Sequence, residues 1–164
     1  MPDFSERFKF LKSGKEYLLA DNTRLLALPA AHEELEKDAD GEYIAFSYLL
    51  VFDSQKKAVF FAGDTIPFNG QAEMIKGGVP EGFKLICVLP VNGRDEERAR
   101  LGFKGNLTSA EAADLCNKCG ASLMLPCHFG MFALNDAKEE ISEDVFRSKG
   151  YNAVIPELIK GFSI

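Results

Sequence analysis

Histidine is scarce in this sequence and tryptophan is absent: only His32 and His128 occur among the 164 residues. With two imidazoles available, the chain hides no histidine-rich metal motif. Basic side chains are also outnumbered, with 19 Lys and Arg against 25 Asp and Glu. The net charge of −6 argues against a nucleic-acid-binding or acidic-membrane surface, although a local pocket of opposite sign would still accept a small anionic substrate.

The sequence also lacks long apolar runs and the two C-x-x-C pairs that a zinc site would need. No apolar run reaches the ~20 residues of a membrane span, and the first residues are polar and charged, unlike a signal peptide. Four cysteines occur, and Cys116 and Cys119 form a C-x-x-C pair without the second pair that would complete a zinc set. We therefore expect a cytoplasmic protein with reduced thiols, no membrane partner, and this pair packed within a helix.

The residues that are present predict one α/β domain over residues 1–164, with residues 1–16 as an extension. Apolar runs bounded by turn residues predict strands at 17–20, 24–30, 43–52, 58–62, 83–89, 122–125 and 152–155. Helices are predicted to end near residues 77–78, to run from the Thr108 cap to Gly120, and to cover 139–149. This alternation favours a layered sheet-and-helix domain with a mostly buried sheet, and the acidic segment 33–42 is typical of a solvated loop.

The run at residues 58–65 is the centre of the predicted site. It reads as a buried strand followed by Gly63, which allows a tight turn, and Asp64, which is delivered at the strand tip. His32 and His128 also follow short apolar segments that contain proline. One carboxylate and two imidazoles suit a divalent metal. The structural alternatives are a strand-end cap for His32, a turn residue for Asp64 and a core histidine for His128.

Five short segments occur in one order along the chain: LPAAH at 28–32, FAGDT at 61–65, LPVNGRD at 89–95, GNLT at 105–108 with EAA at 111–113, and PCHFGMF at 126–132. In this order they resemble the metallo-β-lactamase-fold metal-dependent hydrolases, in particular the branch similar to L-ascorbate-6-phosphate lactonase. The resemblance covers roughly residues 17–135. It implies hydrolysis of a lactone or a phosphorylated sugar-like ester with a divalent metal, zinc or manganese.

The resemblance also implies a role for each candidate ligand. His32 would ligate a first metal, His128 would ligate a second, and Asp64 would bridge the two. Asp64 and His128 are therefore the expected catalytic residues. The expected nucleophile is a metal-bound hydroxide that attacks a carbonyl or phosphoryl centre, because bound water loses its proton near neutral pH.

The loop that follows the strand at 83–89 is expected to lie at the mouth of this site and to bind substrate through Asn92, Arg94 and Asp95. Arg94 would hold an anionic group of the substrate by a bidentate contact. A plain polar turn is the alternative. Arg98 is expected on the surface, and Asn106 is interpreted as part of the capping of the next helix.

One motif of the family is missing from this sequence. H-x-H-x-D-H, which supplies most of both metal sites, is absent, and the chain resembles the C-terminal half of an αββα sandwich. We therefore expect weak or absent metal binding and little activity unless a missing N-terminal half or a homo-oligomer supplies further ligands. The alternative is a non-catalytic binding or assembly module that oligomerises through the apolar sheet face left uncovered.

Overall fold

The computed structural model describes residues 10–155, so residues 1–9 of the predicted extension lie outside the described residues. Within the described range, four strands come first, and strands and α-helices alternate, as the sequence predicts, only from the fourth strand onward. The strands are β1 (Glu16–Ala20), β2 (Thr23–Pro29), β3 (Phe46–Phe52), β4 (Lys57–Phe61), β5 (Lys84–Pro90) and β6 (Leu123–Cys127). The α-helices are α1 (Gln71–Gly78), α2 (Glu96–Arg100), α3 (Ser109–Cys119) and α4 (Glu143–Ser148).

The six strands form one mixed sheet in the order of the chain, β1-β2-β3-β4-β5-β6. Strands β1 to β4 pair antiparallel, whereas β4, β5 and β6 pair parallel. Strands β2, β4, β5 and β6 therefore run in the same direction, and their carboxyl ends lie at one edge of the sheet. In open α/β sheets this edge is where ligands bind.

Helices α1, α3 and α4 pack against one face of the sheet and form the hydrophobic core there. Because side chains alternate between the two faces of a strand, Leu49, Phe60 and Met124 lie on the same face as the helices. Ile75 of α1 and Phe146 of α4 join the same cluster, and all five side chains are fully buried. This core packs against β2, β4, β5 and β6 and so holds together the four strands whose carboxyl ends form one edge of the sheet.

The opposite face of the sheet also carries apolar side chains, but these residues do not belong to the buried cluster. Tyr48 on β3 pairs with Phe61 on β4, which in turn pairs with Val88 on β5. Tyr48 and Phe61 are both exposed large side chains. Residues 10–155 therefore leave part of this face open to solvent.

The C-x-x-C pair packs within the core, as the sequence predicts. Cys116 and Cys119 on α3 are buried, and the Cys119 sulfur lies 4.0 Å from that of Cys87 on β5. Hydrogen bonding to Cys116 and Cys119, together with burial, raises the pKa of Cys87 and keeps its thiol protonated. No group of three or more His, Cys, Asp or Glu side chains within residues 10–155 has the arrangement of a metal site.

Helix α3 begins and ends where the sequence predicts. The Thr108 hydroxyl accepts the Glu111 N–H while the Glu111 carboxylate accepts the Thr108 N–H, which forms a capping box. Gly120 ends the helix in the left-handed conformation at φ 75°. Among the helices of residues 10–155, none has the length and hydropathy of a membrane-spanning segment.

Four predictions differ from the structure. The last helix begins at Glu143 rather than 139, because the Ser142 side chain caps it by accepting the Val145 N–H. The predicted strand at 152–155 is a single bridge between Ala153 and Met124. The segment after β5 contains the short helix α2, which was predicted as a loop. Arg98 in that helix is buried, not a surface residue.

Candidate metal centre

Three loops at the carboxyl edge of the sheet bring the predicted ligands together. His32 follows β2, Asp64 follows β4 and His128 follows β6. The His32 Nε2 lies 3.6 Å from Asp64 Oδ2, and the His128 Nε2 lies 3.4 Å from Asp64 Oδ1. Each carboxylate oxygen thus faces a different imidazole, and the three side chains are 33–45% exposed at an open rim.

Backbone hydrogen bonds between the first two loops fix His32 beside Asp64. The Ile66 N–H donates to the carbonyl of Ala31 at 2.7 Å. The Ala31 N–H reaches the hydroxyl of Thr65 at 3.4 Å, and Thr65 is fully buried. Residues adjacent to His32 and Asp64 are therefore joined directly to each other, which limits how far the two side chains separate.

The backbone at His128 is strained. His128 has φ 61°, a left-handed conformation that residues other than glycine seldom adopt. Such strain persists only where the surrounding structure enforces it, and it concentrates at functional sites. Here the strand before it is anchored by the Val91 N–H, which donates to the carbonyl of Cys127 at 3.0 Å. The strained turn aims the imidazole at Asp64 rather than along the strand.

A buried asparagine holds the Asp64 turn from behind, a role that the local sequence pattern does not indicate. The Asn106 side-chain oxygen accepts the Thr65 N–H at 2.9 Å. Its amide nitrogen donates to Asn92 Oδ1 at 3.0 Å and lies 3.4 Å from Asp64 Oδ1. Asn106 and Asn92 are each only 1% exposed. Asn106 therefore orients the carboxylate, whereas the sequence pattern around it indicated helix capping alone.

The predicted substrate-binding loop is used mainly for structure. The Asn92 amide nitrogen donates to the Asn135 side chain at 3.0 Å, and its oxygen meets Asn106. Asp95 caps helix α2, and its carboxylate accepts hydrogen bonds from the backbone N–H and the side-chain Nε–H of Arg98. The Arg98 N–H groups and then Lys138 hold the pKa of Asp95 well below its usual range, although burial opposes them.

Arg94 lies at the edge of the cleft beside His32, but its guanidinium already has an anionic partner. It donates two hydrogen bonds of 2.6 Å to the two carboxylate oxygens of Glu111 and a third, of 3.0 Å, to the carbonyl of Asn106. Burial would raise the pKa of Glu111, yet the bonds from Arg94 and Thr108 hold it below its usual value. Substrate binding by Asn92, Arg94 and Asp95 stays a prediction.

The donor set fits divalent metals in type and spacing. Two donors on one tetrahedral zinc ion, at bond lengths of about 2.0–2.2 Å, lie roughly 3.3–3.6 Å apart. The imidazole–carboxylate distances of 3.4 and 3.6 Å match that spacing on both sides of Asp64. The fit is incomplete, because each ion would receive one imidazole and one carboxylate oxygen, and zinc sites need at least three protein ligands. This pairwise arrangement agrees with the absence of any three-donor group within residues 10–155.

A partly buried thiol lies next to this centre. Burial, with a further contribution from the Asp64 carboxylate, raises the pKa of Cys127 to about 11. Without a metal ion this thiol is therefore protonated at neutral pH.

Three solved structures share the fold of this chain. A metallo hydrolase from the archaeon Ignicoccus hospitalis superposes with a TM-score of 0.63 at 19% identity over 90% of this chain. An isothiocyanate hydrolase from Delia radicum gut bacteria superposes at 0.62 and 16% identity over 91%. A metallo-β-lactamase fold protein from Bacillus subtilis superposes at 0.53 and 13% identity over 85%. The chain therefore has the metallo-β-lactamase type of α/β fold, as the sequence predicted.

The chain spans about half the length of these proteins. It covers 56% of each of the two hydrolases and 45% of the Bacillus protein. The sequence matches no protein-family model and no curated protein. At these identities the likeness establishes the fold alone.

Proposed function

We propose that this chain is part of a metal-dependent hydrolase in which Asp64 bridges two divalent ions, one held by His32 and the other by His128. The observation that carries this proposal is the placement of each Asp64 oxygen 3.4–3.6 Å from a different imidazole nitrogen. A simple surface ion pair would require only one histidine beside Asp64, whereas here two histidines that follow different strands face the same carboxylate. Zinc and manganese are the proposed metals, because imidazole and carboxylate suit both.

The proposed substrate is a lactone or a phosphorylated sugar-like ester. When bound, a divalent ion at this place supplies Lewis acidity and lowers the pKa of a coordinated water towards neutrality. Asp64 would hold the ions, and its carboxylate lies 3.4 Å from the side-chain amide nitrogen of Asn106. The side chains of His128 and Asp64 are 33% and 45% exposed, so a substrate carbonyl or phosphoryl group can reach them from solvent.

Residues 10–155 supply one imidazole and one carboxylate oxygen to each proposed ion, so further ligands are needed for tight binding. We propose that a partner chain or an N-terminal half supplies them. On its own, this chain is expected to bind metal weakly and to hydrolyse its substrate slowly.

A hydrolysis assay tests the proposal. A neutral lactone and a sugar phosphate ester are incubated with the protein and excess Mn²⁺ or Zn²⁺, with chelator-treated protein as the blank. We expect slow, metal-dependent hydrolysis of one of them that disappears in Asp64→Asn. Asp114→Asn is the matched control, since Asp114 is an exposed carboxylate on α3 paired with Lys118. Hydrolysis that survives Asp64→Asn would refute the proposal.

A second candidate, a non-catalytic module that oligomerises, rests on a different observation. The sheet face opposite the helices carries Tyr48 and Phe61 side by side, both exposed. Adjacent large apolar side chains on an open face are typical of interaction surfaces. We propose that a second copy of the chain covers this face.

Sedimentation velocity tests this second candidate over a range of protein concentrations. The candidate predicts a dimer that Tyr48→Lys dissociates, because the variant places a charge on the proposed contact face. Lys76→Ala on α1, which is exposed on the helix side of the sheet, is the control and should leave the dimer intact. A monomer at every concentration would contradict the candidate.

A further inference from the structure

A wide groove opens directly beside His128. It encloses about 670 Å³ and is lined by Phe103, Met131, Phe132 and Leu134, with His128 and Asn135 as its polar members. Small-molecule sites in proteins fall within about 300–1,000 Å³ and are mostly apolar with a few polar groups. The groove has this size and composition, and it shares His128 with the candidate metal centre.

The apolar side chains of the groove are unusually open to solvent. Met131, Phe132 and Leu134 are 72%, 65% and 67% exposed. They follow His128 closely in the chain, in the loop that includes the short 3₁₀ turn at Ala133–Asn135. Single exposed apolar residues are ordinary, whereas a contiguous group at the rim of a site marks a surface that binds something apolar.

One of the two polar side chains of the groove, Asn135, is already engaged in the fold. The Asn135 side-chain oxygen accepts from the Asn92 amide at 3.0 Å and from the Arg98 guanidinium at 3.3 Å. It is therefore committed to the fold rather than presented to a ligand. The other polar side chain of the groove, His128, also lies next to Asp64 in the candidate metal centre.

The two cations that line the cleft beside His32, among the described residues, are paired as well. Arg94 and Lys104 line the neighbouring cleft beside His32. Arg94 forms its bidentate pair with Glu111, and Lys104 lies 3.0 Å from Glu33. Each of these two cations thus already has a carboxylate partner, which reduces the positive charge that the cleft offers to a phosphate. The charge pattern thus disfavours a phosphorylated substrate.

We propose that the groove formed by Phe103, Met131, Phe132 and Leu134 binds an uncharged alkyl or aryl substituent of the substrate. Of the two substrate classes proposed above, this inference selects a neutral lactone with an apolar substituent. It rests on the proposed function in one respect: the groove ends at His128, so a substituent within it places the carbonyl next to Asp64.

Methionine methyl NMR tests this inference without any metal or turnover. The sequence has four methionines, and selective ¹³C-methyl labelling gives each a separate signal. Met131 lines the groove, whereas Met124 lies in the core and serves as an internal control. The Met131→Leu variant assigns the signal. The probes are γ-decalactone, which carries a six-carbon chain, γ-butyrolactone, which carries none, and glucose 6-phosphate.

We expect γ-decalactone to shift the Met131 signal saturably and to bind at least about tenfold more tightly than γ-butyrolactone, because the alkyl chain adds buried apolar area. Glucose 6-phosphate should leave the signal in place. Leu134→Ser and Phe132→Ser should each weaken binding of γ-decalactone roughly five- to tenfold. Leu18→Ser is the matched control: Leu18 is equally exposed, but β1 lies at the opposite edge of the sheet from β6.

Three outcomes would overturn the inference: no shift with γ-decalactone, an equal shift with glucose 6-phosphate, or a Met131 shift that depends on protein concentration alone. The last outcome would identify the groove as a contact between copies of the chain. Because the probe measures binding without metal, failure here leaves the Asp64 hydrolysis test standing. Conversely, saturable binding together with unaffected hydrolysis in Asp64→Asn would refute only the metal centre.

Discussion

Replacement of Asn106 with alanine tests how strongly the fold holds the Asp64 turn. The substitution removes the acceptor for the Thr65 N–H and the donor to Asn92 Oδ1, both within the protein interior. A buried polar group left without its partner costs about 1–3 kcal/mol. Two such groups give an expected loss of about 2–6 kcal/mol in the free energy of unfolding.

Urea denaturation followed by circular dichroism measures this loss, and thermal unfolding gives a second estimate. For a chain of this length the expected drop in Tm is roughly 4–24 °C. Asn69→Ala is the matched control, because Asn69 lies exposed in the loop before α1, where truncation changes stability by less than about 0.5 kcal/mol. An Asn106→Ala variant as stable as the Asn69→Ala control would show that the turn does not depend on this side chain.

Two further predictions concern the loop behind the site. Gly105→Ala places a Cβ 2.0 Å from the Cβ of Arg94 and 2.7 Å from its Cα. We therefore expect urea denaturation to show a loss of about 1–3 kcal/mol in the free energy of unfolding. Gly77→Ala is the control and should show no loss, because a Cβ at that position meets open space. The pKa of Glu111 is lower in the folded state than the unfolded value near 4.5. The stability that its ionised carboxylate contributes is therefore present above that value and is lost as the pH falls through the folded pKa. Glu111→Gln should therefore lower Tm at pH 7 and have a smaller effect at pH 3; an equal effect at both would contradict the assignment.

The meeting of His32, Asp64 and His128 could be anticipated from the sequence. Each follows an apolar strand-like segment, and strands that run in the same direction deliver their next residues to one edge of the sheet. The distances could not be anticipated, because they depend on the left-handed turn at His128 and on the hydrogen bonds between the loops of Ala31 and Ile66.

The positions that sequence reasoning misplaced are those set by long-range contacts. Asn106 is adjacent to a recognisable helix cap, and that local pattern gives no sign that its side chain meets Asp64, 42 residues away. Arg98 looks like a surface residue because its neighbours are charged, yet it donates to the carbonyls of Asn92 and Asp136 and is buried by them. Local spacing carries no information about such partners.

The most direct test of the central claim is a zinc titration by isothermal calorimetry on the wild-type chain and on Asp64→Asn, with Asp114→Asn as the control. The account predicts weak binding, with a dissociation constant in the micromolar range or above, that Asp64→Asn abolishes and the control retains. His32→Gln and His128→Gln should each remove part of the heat. Binding of two ions that is tight, or that is unchanged in Asp64→Asn, would contradict a carboxylate-bridged centre with two donors for each ion.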